Sequence, residues 1–213
     1  MKTNLSLLLV FVLVSLAATA QNRNDVFDAK VPVNWLGLEF SKARFIGDRE
    51  RLGSESDMRH LLEAWNELIL TERDKYRIHE AILRPEGLNP AVRPVEERNA
   101  DLDVLSLYSP DPKDYFHLKP ENVRAIAASY NYKALNGIGL MFVVESFSKI
   151  NDEAAVWVTF IDMKSKEVLF TERMTGKPKG FGLRNYWAGA VYDIIKQIEK
   201  KEYEMWRKKY YRG

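Results

Sequence analysis

Cysteine is missing from this chain of 213 residues, and histidine occurs only three times. Without cysteine the chain can form no disulfide, no thiolate metal site and no thiol nucleophile. The absence also excludes a bacterial lipid anchor, which needs a cysteine directly after a signal peptide. Stability must therefore come from a packed core, for which 46% hydrophobic residues are an ordinary globular content.

An excess of charge of one sign is lacking as well, since 32 basic residues nearly balance 30 acidic ones. A net charge of +2 gives no general attraction to nucleic acid or to membranes. After Ala20 no apolar run approaches the roughly 18 residues that a membrane-spanning helix needs. We therefore expect no nucleic-acid partner and no transmembrane segment in the mature chain.

The long apolar run that does occur lies within the first twenty residues. Lys2 supplies a positive charge, Leu5 to Leu16 are mostly apolar, and Ala18 to Ala20 are the small residues that signal peptidase needs. This order is typical of a Sec signal peptide over residues 1–20. We expect a mature protein beginning at Gln21 that is exported, periplasmic or secreted, and not lipid-anchored. Such a compartment has no nucleotide pool, so no cofactor is expected.

The first half of the mature chain shows alternating strand and helix patterns. Residues 21–31 are polar without a period and predict a flexible lead-in. Residues 33–46 alternate with a period of two, which predicts a strand. Ser54, with Asp57 three positions later, predicts the start of a capped helix with one apolar face. Val92 to Arg98 predicts a second strand, which its proline would confine to an edge.

The second half carries the clearest strand signals. Pro120 predicts the first turn of a helix. Ile138 to Phe147 is almost entirely apolar, as in a central strand covered on both faces. Ala155 to Asp162 and Glu167 to Met174 follow as a predicted hairpin. A long helix is predicted from about Leu183 past Lys201.

Together these elements predict an α+β fold, a two-layer α/β sandwich in a single domain over residues 32–213. We expect a mixed sheet of about five strands ending in an antiparallel meander, with helices mainly on one face. Trp157, Thr159 and Ile161 would then point away from those helices. The segment 84–119 is the expected cover for this second face, and a second protein molecule is the alternative.

The last third of the chain resembles a known type of domain. Val156 to Asp162, the hairpin through Phe170, Gly176 and the following amphipathic helix give the order strand ending in Asp, turn, strand, glycine, helix. This order is similar to the end of the small α/β domain in the N-terminal part of TolB, in curli-secretion lipoproteins and in activators of penicillin-binding proteins. The turn at Lys164 to Lys166 departs from the Thr-Gly common in those relatives, and their lipid-bearing cysteine is missing.

The segment Gly180 to Trp187 is also similar to a segment of uncharacterised exported bacterial proteins, which supply no activity to carry over. These resemblances imply an envelope adaptor, a protein that binds another protein or envelope component without catalysis. They are likenesses of pattern and order, and therefore bear on fold more than on function.

The glycine-rich stretch before the last helix is the sharpest local signal for binding. Its glycines and cations suit backbone contact with an anion, or contact with a partner protein or glycan. The alternative is a tight hairpin-to-helix connection in which Trp187 packs in the core. If a binding surface exists here, we expect Arg184 to contact an anionic or carbonyl group, and Phe181 and Tyr186 to make apolar contacts. The candidate residues are Gly180, Phe181, Gly182, Arg184, Asn185 and Tyr186.

Three other features carry weaker hypotheses. Glu145 and Asp162 on adjacent strands are the candidates for a periplasmic glycan hydrolase, which needs paired carboxylates. The three histidines lack partners at metal spacing, so no metal site is predicted. The C-terminal stretch 196–213 interleaves basic and aromatic residues, which predicts a packed helix face or, alternatively, contact with an anionic envelope surface.

Overall fold

The computed structural model describes residues 21–47, 49–132 and 135–212, so the predicted signal peptide lies outside the described residues. The described strands are β1 (Val33–Glu39), β2 (Arg44–Ile46), β3 (Asn89–Pro90), β4 (Tyr108–Ser109), β5 (Ile138–Ser148), β6 (Glu153–Asp162) and β7 (Glu167–Gly176). The described α-helices are α1 (Glu55–Thr71), α2 (Ile78–Ala81), α3 (Arg93–Ala100), α4 (Pro120–Ser129), α5 (Gly182–Gln197) and α6 (Tyr203–Tyr210). A π-helical stretch, Ile198–Glu202, joins α5 to α6. Short 3-10 helices cover Arg23–Phe27, Glu50–Leu52, Val104–Leu107 and Pro112–Phe116.

Strand β5 is the centre of the sheet. On one side it pairs in parallel with β1 along its first half and with β2 along its end. On the other side it pairs antiparallel with β6, which pairs antiparallel with β7. The short strands β3 and β4 extend β1 and β2 outward, again in parallel. The chain thus places the ends of β2 and β5 side by side, next to the start of α5.

The mixed α and β content of the prediction is confirmed, but the architecture differs in two respects. Strands β1 to β4 make only parallel pairs, so an antiparallel meander describes β5 to β7 and not the sheet as a whole. The molecule also has three layers instead of two. Both faces of β5 are apolar, and each face needs its own cover because exposed apolar surface is unfavourable.

Two core clusters show how the layers are built. Leu140, Phe142 and Val144 of β5 point into the larger cluster, with α1, α2, α5 and α6. Met141 and Val143 point into the smaller one, with α4 and part of α3. The predicted alternation of β6 is confirmed, since Val156, Val158 and Phe160 join the larger cluster and Trp157 and Ile161 the smaller. Most of the second cover is helix α4, with Val95 and Leu118 added from the 84–119 segment.

The predicted strand at Val92 to Arg98 is wrong, because Val92 is the N-cap of α3 and the other residues belong to this helix. Pro94 lies in its first turn, where a missing N–H costs no hydrogen bond. Only Val95 and Asn99 of this helix are buried, a spacing of four that fits a helix and not a strand. Proline therefore marked a helix start here, not a strand edge.

Part of the predicted lead-in, Arg23–Phe27, forms a 3-10 helix. Asn22 and Asp25 cap the 3-10 helix at its start, and Val26 is fully buried. Phe27 stacks on Phe170 with ring centroids 5.6 Å apart. The Asn24 side chain bonds the backbone N–H and carbonyl of Arg212, at 3.0 and 2.6 Å. Two apolar side chains and a side-chain cap thus fix a segment whose composition is polar.

Helix α1 begins as the sequence predicts. The Ser54 hydroxyl accepts from the Asp57 N–H at 3.2 Å, and the Asp57 carboxylate accepts from the Ser54 N–H at 2.8 Å. Further along α1, the buried side chain of Asn66 accepts from the N–H of Leu38 at 2.7 Å. Asn99 of α3 donates to the carbonyl of Leu38 at 2.8 Å. The side-chain amides of Asn66 and Asn99 thus form hydrogen bonds with backbone groups on the outer edge of β1. They do so beyond β3, where no described strand pairs with this edge.

Candidate functional site

A cavity of about 350 Å³ lies at the start of α5. It is bounded by the end of β2, the end of β5 and the first turns of α5, which the parallel pairing of β2 and β5 brings together. Its apolar walls are Phe45, Ile46, Leu52, Phe147, Leu183 and Trp187. The volume falls at the lower end of the range of ligand sites in proteins, roughly 300–1,000 Å³.

The floor of the cavity is a packed group of aromatic rings. Trp187 stacks on Phe147 at 4.7 Å, and Phe45 meets Phe147 edge-on at 5.6 Å. Behind them, Trp65 of α1 contacts Phe147 at 5.2 Å. The Trp65 indole N–H donates to the carbonyl of Arg184 at 2.8 Å. Helix α1 thereby fixes the first turn of α5 against the floor.

The connection from β7 to α5 depends on close backbone approach. A Cβ at Gly189 would lie 2.0 Å from the Lys179 carbonyl oxygen. Gly180 has φ +141°, and a Cβ there would lie 2.7 Å from the Asn185 carbonyl oxygen. The N–H of Lys179 donates to the Tyr186 carbonyl at 3.2 Å. The glycines therefore allow a tight connection between β7 and α5, which is one of the interpretations that the sequence analysis gave for this segment. The connection forms one wall of the cavity.

The structure brings the six sequence-predicted binding residues together at this wall. Gly180, Gly182 and Tyr186 line the cavity. Phe181 is 97% exposed. Arg184 and Asn185 are exposed on the first turn of α5, where the Arg184 Nε donates to the Asn185 Oδ1 at 3.3 Å.

A polar network closes one side of the mouth. The Tyr186 hydroxyl donates to Asp152 and accepts from Lys149, and Lys149 also pairs with Asp152 at 3.0 Å. The hydrogen bonds from Tyr186 and Lys149 lower the pKa of Asp152, and those to Tyr186 and Asp152 raise the pKa of Lys149. The network ties the β5–β6 turn to α5.

The charged side chains that line the cavity, among the described residues, are cations. Arg51 and Lys149 line it, whereas no carboxylate does. Beside the mouth, Lys179 and Arg184 are exposed, and neither forms an ion pair within the described ranges. The first turn of α5 contains no acidic residue and no side-chain cap. The helix dipole, Lys179 and Arg184 thus favour an anionic group beside the mouth.

Sequence reasoning missed the opposite wall of the cavity. Phe45, Ile46 and Leu52 lie more than a hundred positions before α5, and their apolar character predicted only a core. Phe147 lies near the end of β5 and Lys149 directly follows this strand, which was correctly predicted but gave no sign of its neighbours. The signal that could have found them is the parallel pairing of β2 with β5, which periodicity does not reveal.

Glu145 and Asp162 do not converge. Asp162 pairs with Ile138 at the start of β5, and Glu145 lies seven residues further along that strand, which is about 23 Å at roughly 3.3 Å per residue. Paired catalytic carboxylates lie within about 10 Å of each other. The glycan-hydrolase hypothesis required a convergence that this register does not provide.

Both carboxylates are also occupied by partners of their own. Glu145 is fully buried, pairs with Arg173 at 2.6 Å and accepts from the indole of Trp157 at 3.0 Å and the N–H of Leu118 at 2.6 Å. Asp162 accepts from the N–H of Lys164 at 3.1 Å and from the hydroxyl of Ser165 at 2.9 Å. Glu145 therefore fixes the second layer to the sheet, and Asp162 shapes the β6–β7 turn.

The histidines and the C-terminal stretch have structural contacts. The ring nitrogens of His117 lie 2.7 and 2.8 Å from the carbonyl oxygens of Asp114 and Lys42. In residues 21–47, 49–132 and 135–212 no group of three His, Asp or Glu could hold a metal ion. Tyr203 and Trp206 are buried, which agrees with the packed-face interpretation of the C-terminal stretch.

Comparison with known proteins gives no further guide to this site. No protein-family model matches the chain, and no curated protein is similar to it. The described helices include none that is both long enough and apolar enough to cross a bilayer.

Proposed function

We propose that this chain is a non-catalytic exported protein that binds another protein or envelope component through the cavity at the start of α5. The observation that carries the proposal is Phe181, which is 97% exposed although it stands between two glycines that line an apolar cavity. A large aromatic ring in water at the rim of such a cavity is typical of a binding surface.

A second exposed apolar side chain close to the cavity supports this assignment. Ile150, next to the cavity-lining Lys149, is 56% exposed. Together Phe181 and Ile150 give the cavity an apolar rim that a partner can cover. Apolar rims around a pocket that takes an anchor side chain are a recurring feature of protein interfaces.

The size of the cavity favours a side chain of a larger molecule as its occupant, rather than a small-molecule cofactor. At about 30 Å³ for each water-sized group, 350 Å³ holds about a dozen non-hydrogen atoms. This equals one or two apolar side chains. The aromatic floor is packed already, so binding needs little rearrangement.

Two further points support an adaptor without catalysis. The fixed partners of Glu145 and Asp162 leave neither carboxylate directed at the cavity. The pattern of residues 1–20 and the resemblance of the last third to TolB-type domains support export and an envelope role.

Site-specific photo-crosslinking tests the proposal. Benzoyl-phenylalanine is placed at position 181, or at position 116 as the matched control, since Phe116 is 58% exposed and outside the cavity. We expect a covalent adduct with an envelope component in the cells that produce the protein, at position 181 and not at 116. Absence of an adduct at 181, or equal adducts at both positions, would overturn the assignment of this cavity.

A further inference from the structure

The charges around the cavity restrict what can bind there. Arg51 and Lys149 line it, Lys179 and Arg184 flank the mouth, and Asp152 is held by Lys149 and Tyr186. Lys179 and Arg184 project into solvent with no ion pair in the part of the chain that the structure describes. Their charge is therefore available to a partner.

Several other exposed cations on the second half of the molecule are paired with carboxylates. Lys177 pairs with Glu153 at 3.3 Å, Lys201 with Glu202 at 3.1 Å and Lys209 with Glu172 at 2.7 Å. The protein as a whole is nearly neutral, at +2. The positive charges of Lys179 and Arg184, which have no ion pair in the described ranges, thus lie beside the apolar mouth whose rim carries Phe181.

We propose that the occupant of the cavity is an acidic segment of a partner protein that inserts one bulky apolar side chain. The inference rests on the proposed function and adds the chemistry of the partner. The apolar side chain fills the space above Phe147 and Trp187, which is large enough for one aromatic or branched aliphatic group. Carboxylates beside it in the segment pair with Lys179 and Arg184. Complementary charge at the rim selects the partner and speeds its association.

A cationic partner is disfavoured by the same geometry. Its charges would face Lys179 and Arg184, and like charges at an interface are costly. A neutral apolar segment would leave Lys179 and Arg184 partly desolvated without a counter-charge, which is also unfavourable. The acidic segment is the case in which both the apolar wall and the cations find partners.

The test uses a displayed library of short random peptides, selected on the immobilised mature protein. We expect enriched peptides to share a Phe, Trp, Leu or Ile flanked by Asp or Glu. Their binding should weaken about tenfold when salt is raised from low to high concentration, because exposed charges are screened. Enrichment of basic or neutral peptides, or no enrichment, would overturn the inference.

A charge-reversal pair makes the test specific to the mouth. K179E together with R184E should reverse the selection, so that peptides with Lys or Arg beside the apolar residue are enriched. The matched control is K200E with K208E on the C-terminal helix, which changes net charge equally at exposed positions without ion pairs in the described ranges. The control should keep the acidic preference. An unchanged preference in the K179E/R184E protein would overturn the inference.

The failure of this inference is distinguishable from failure of the proposed function. If position 181 crosslinks to a partner but the selected peptides are not acidic, the cavity binds and the charge assignment is wrong. If position 181 gives no adduct, the binding role of the cavity itself is wrong.

Discussion

The indole N–H of Trp65 donates to the backbone carbonyl of Arg184 over 2.8 Å and joins the middle of α1 to the first turn of α5. We predict that Trp65→Phe loosens this turn. The variant should lose about 1–2 kcal/mol through the missing hydrogen bond, in addition to the smaller apolar area. Urea unfolding gives the stability, and faster amide exchange over 177–186 would show that the loosening is local.

The matched control for that loss is Trp35→Phe. Trp35 is also buried, but its indole N–H has no partner among the described residues. Both substitutions remove the same atoms, but only Trp65→Phe removes a hydrogen bond, so it should be the more destabilising of the two. Equal losses in the two variants would contradict a special role of the Trp65–Arg184 contact.

Gly189→Ala should distort the cavity wall. The new methyl group would lie 2.0 Å from the Lys179 carbonyl, a backbone atom that can move only with the whole connection. We expect a loss of about 2–3 kcal/mol in stability and weaker peptide binding. Gly182→Ala is the comparison, because nothing lies within 4 Å of its added Cβ and its φ is +78°. That variant should lose only about 1–2 kcal/mol, from backbone strain.

Glu145→Gln tests whether this carboxylate is structural. The change removes the negative charge that Arg173 faces at 2.6 Å. We expect a loss of about 2–3 kcal/mol, below the range for fully buried pairs because water reaches part of Arg173. Glu167→Gln, at an exposed position, should change stability by less than about 0.5 kcal/mol. A Glu145→Gln protein as stable as the wild type would refute the structural role.

The contribution of Glu39 to the stability of the protein should fall as the pH rises above 4.5. Burial raises the pKa of this carboxyl above its ordinary value of 4.5, although Ser41, Arg98 and Tyr130 oppose the shift. The unfolded chain then releases the proton at a lower pH than the folded protein does. Stability from this group is therefore complete below 4.5 and is lost as pH rises through the folded pKa.

Glu39→Gln is the variant that checks this pH dependence. It retains the shape of the side chain and carries no proton that titrates. We expect its free energy of unfolding, relative to that of the wild type, to rise between about pH 4 and about pH 7, because the variant lacks the loss of stability that comes from Glu39. Urea unfolding at several pH values measures both curves. Parallel curves over this interval would refute the role of Glu39.

The sequence predicted those elements whose signal is local. The Ser54–Asp57 cap predicted the start of α1, and the unbroken apolar run predicted β5 with both faces covered. Pro94 led to a wrong prediction, because proline is compatible with both an edge strand and the first turn of a helix. Only the burial of Val95 and Asn99, four residues apart, distinguishes the two, and burial is set by the rest of the fold.

The sequence predicted one wall of the candidate site but not the other. The six residues before and within α5 were identified because glycines, an arginine and aromatics are concentrated in one short segment. Phe45 and Phe147 were not, since they reach the cavity only through the parallel pairing of β2 with the end of β5. The separation of Glu145 from Asp162 was equally hidden, because strand order alone does not fix the register.

The contact between Asn24 and Arg212 places both described chain ends at one spot. The helical segment from Gly182 to Tyr210 leads from the cavity to that spot and is roughly 40 Å long at 1.5 Å per residue. This helical segment separates the cavity from the contact between Asn24 and Arg212. A tag, fusion partner or solid support joined at either end would therefore leave the mouth free, and both attachments would present the cavity in the same direction.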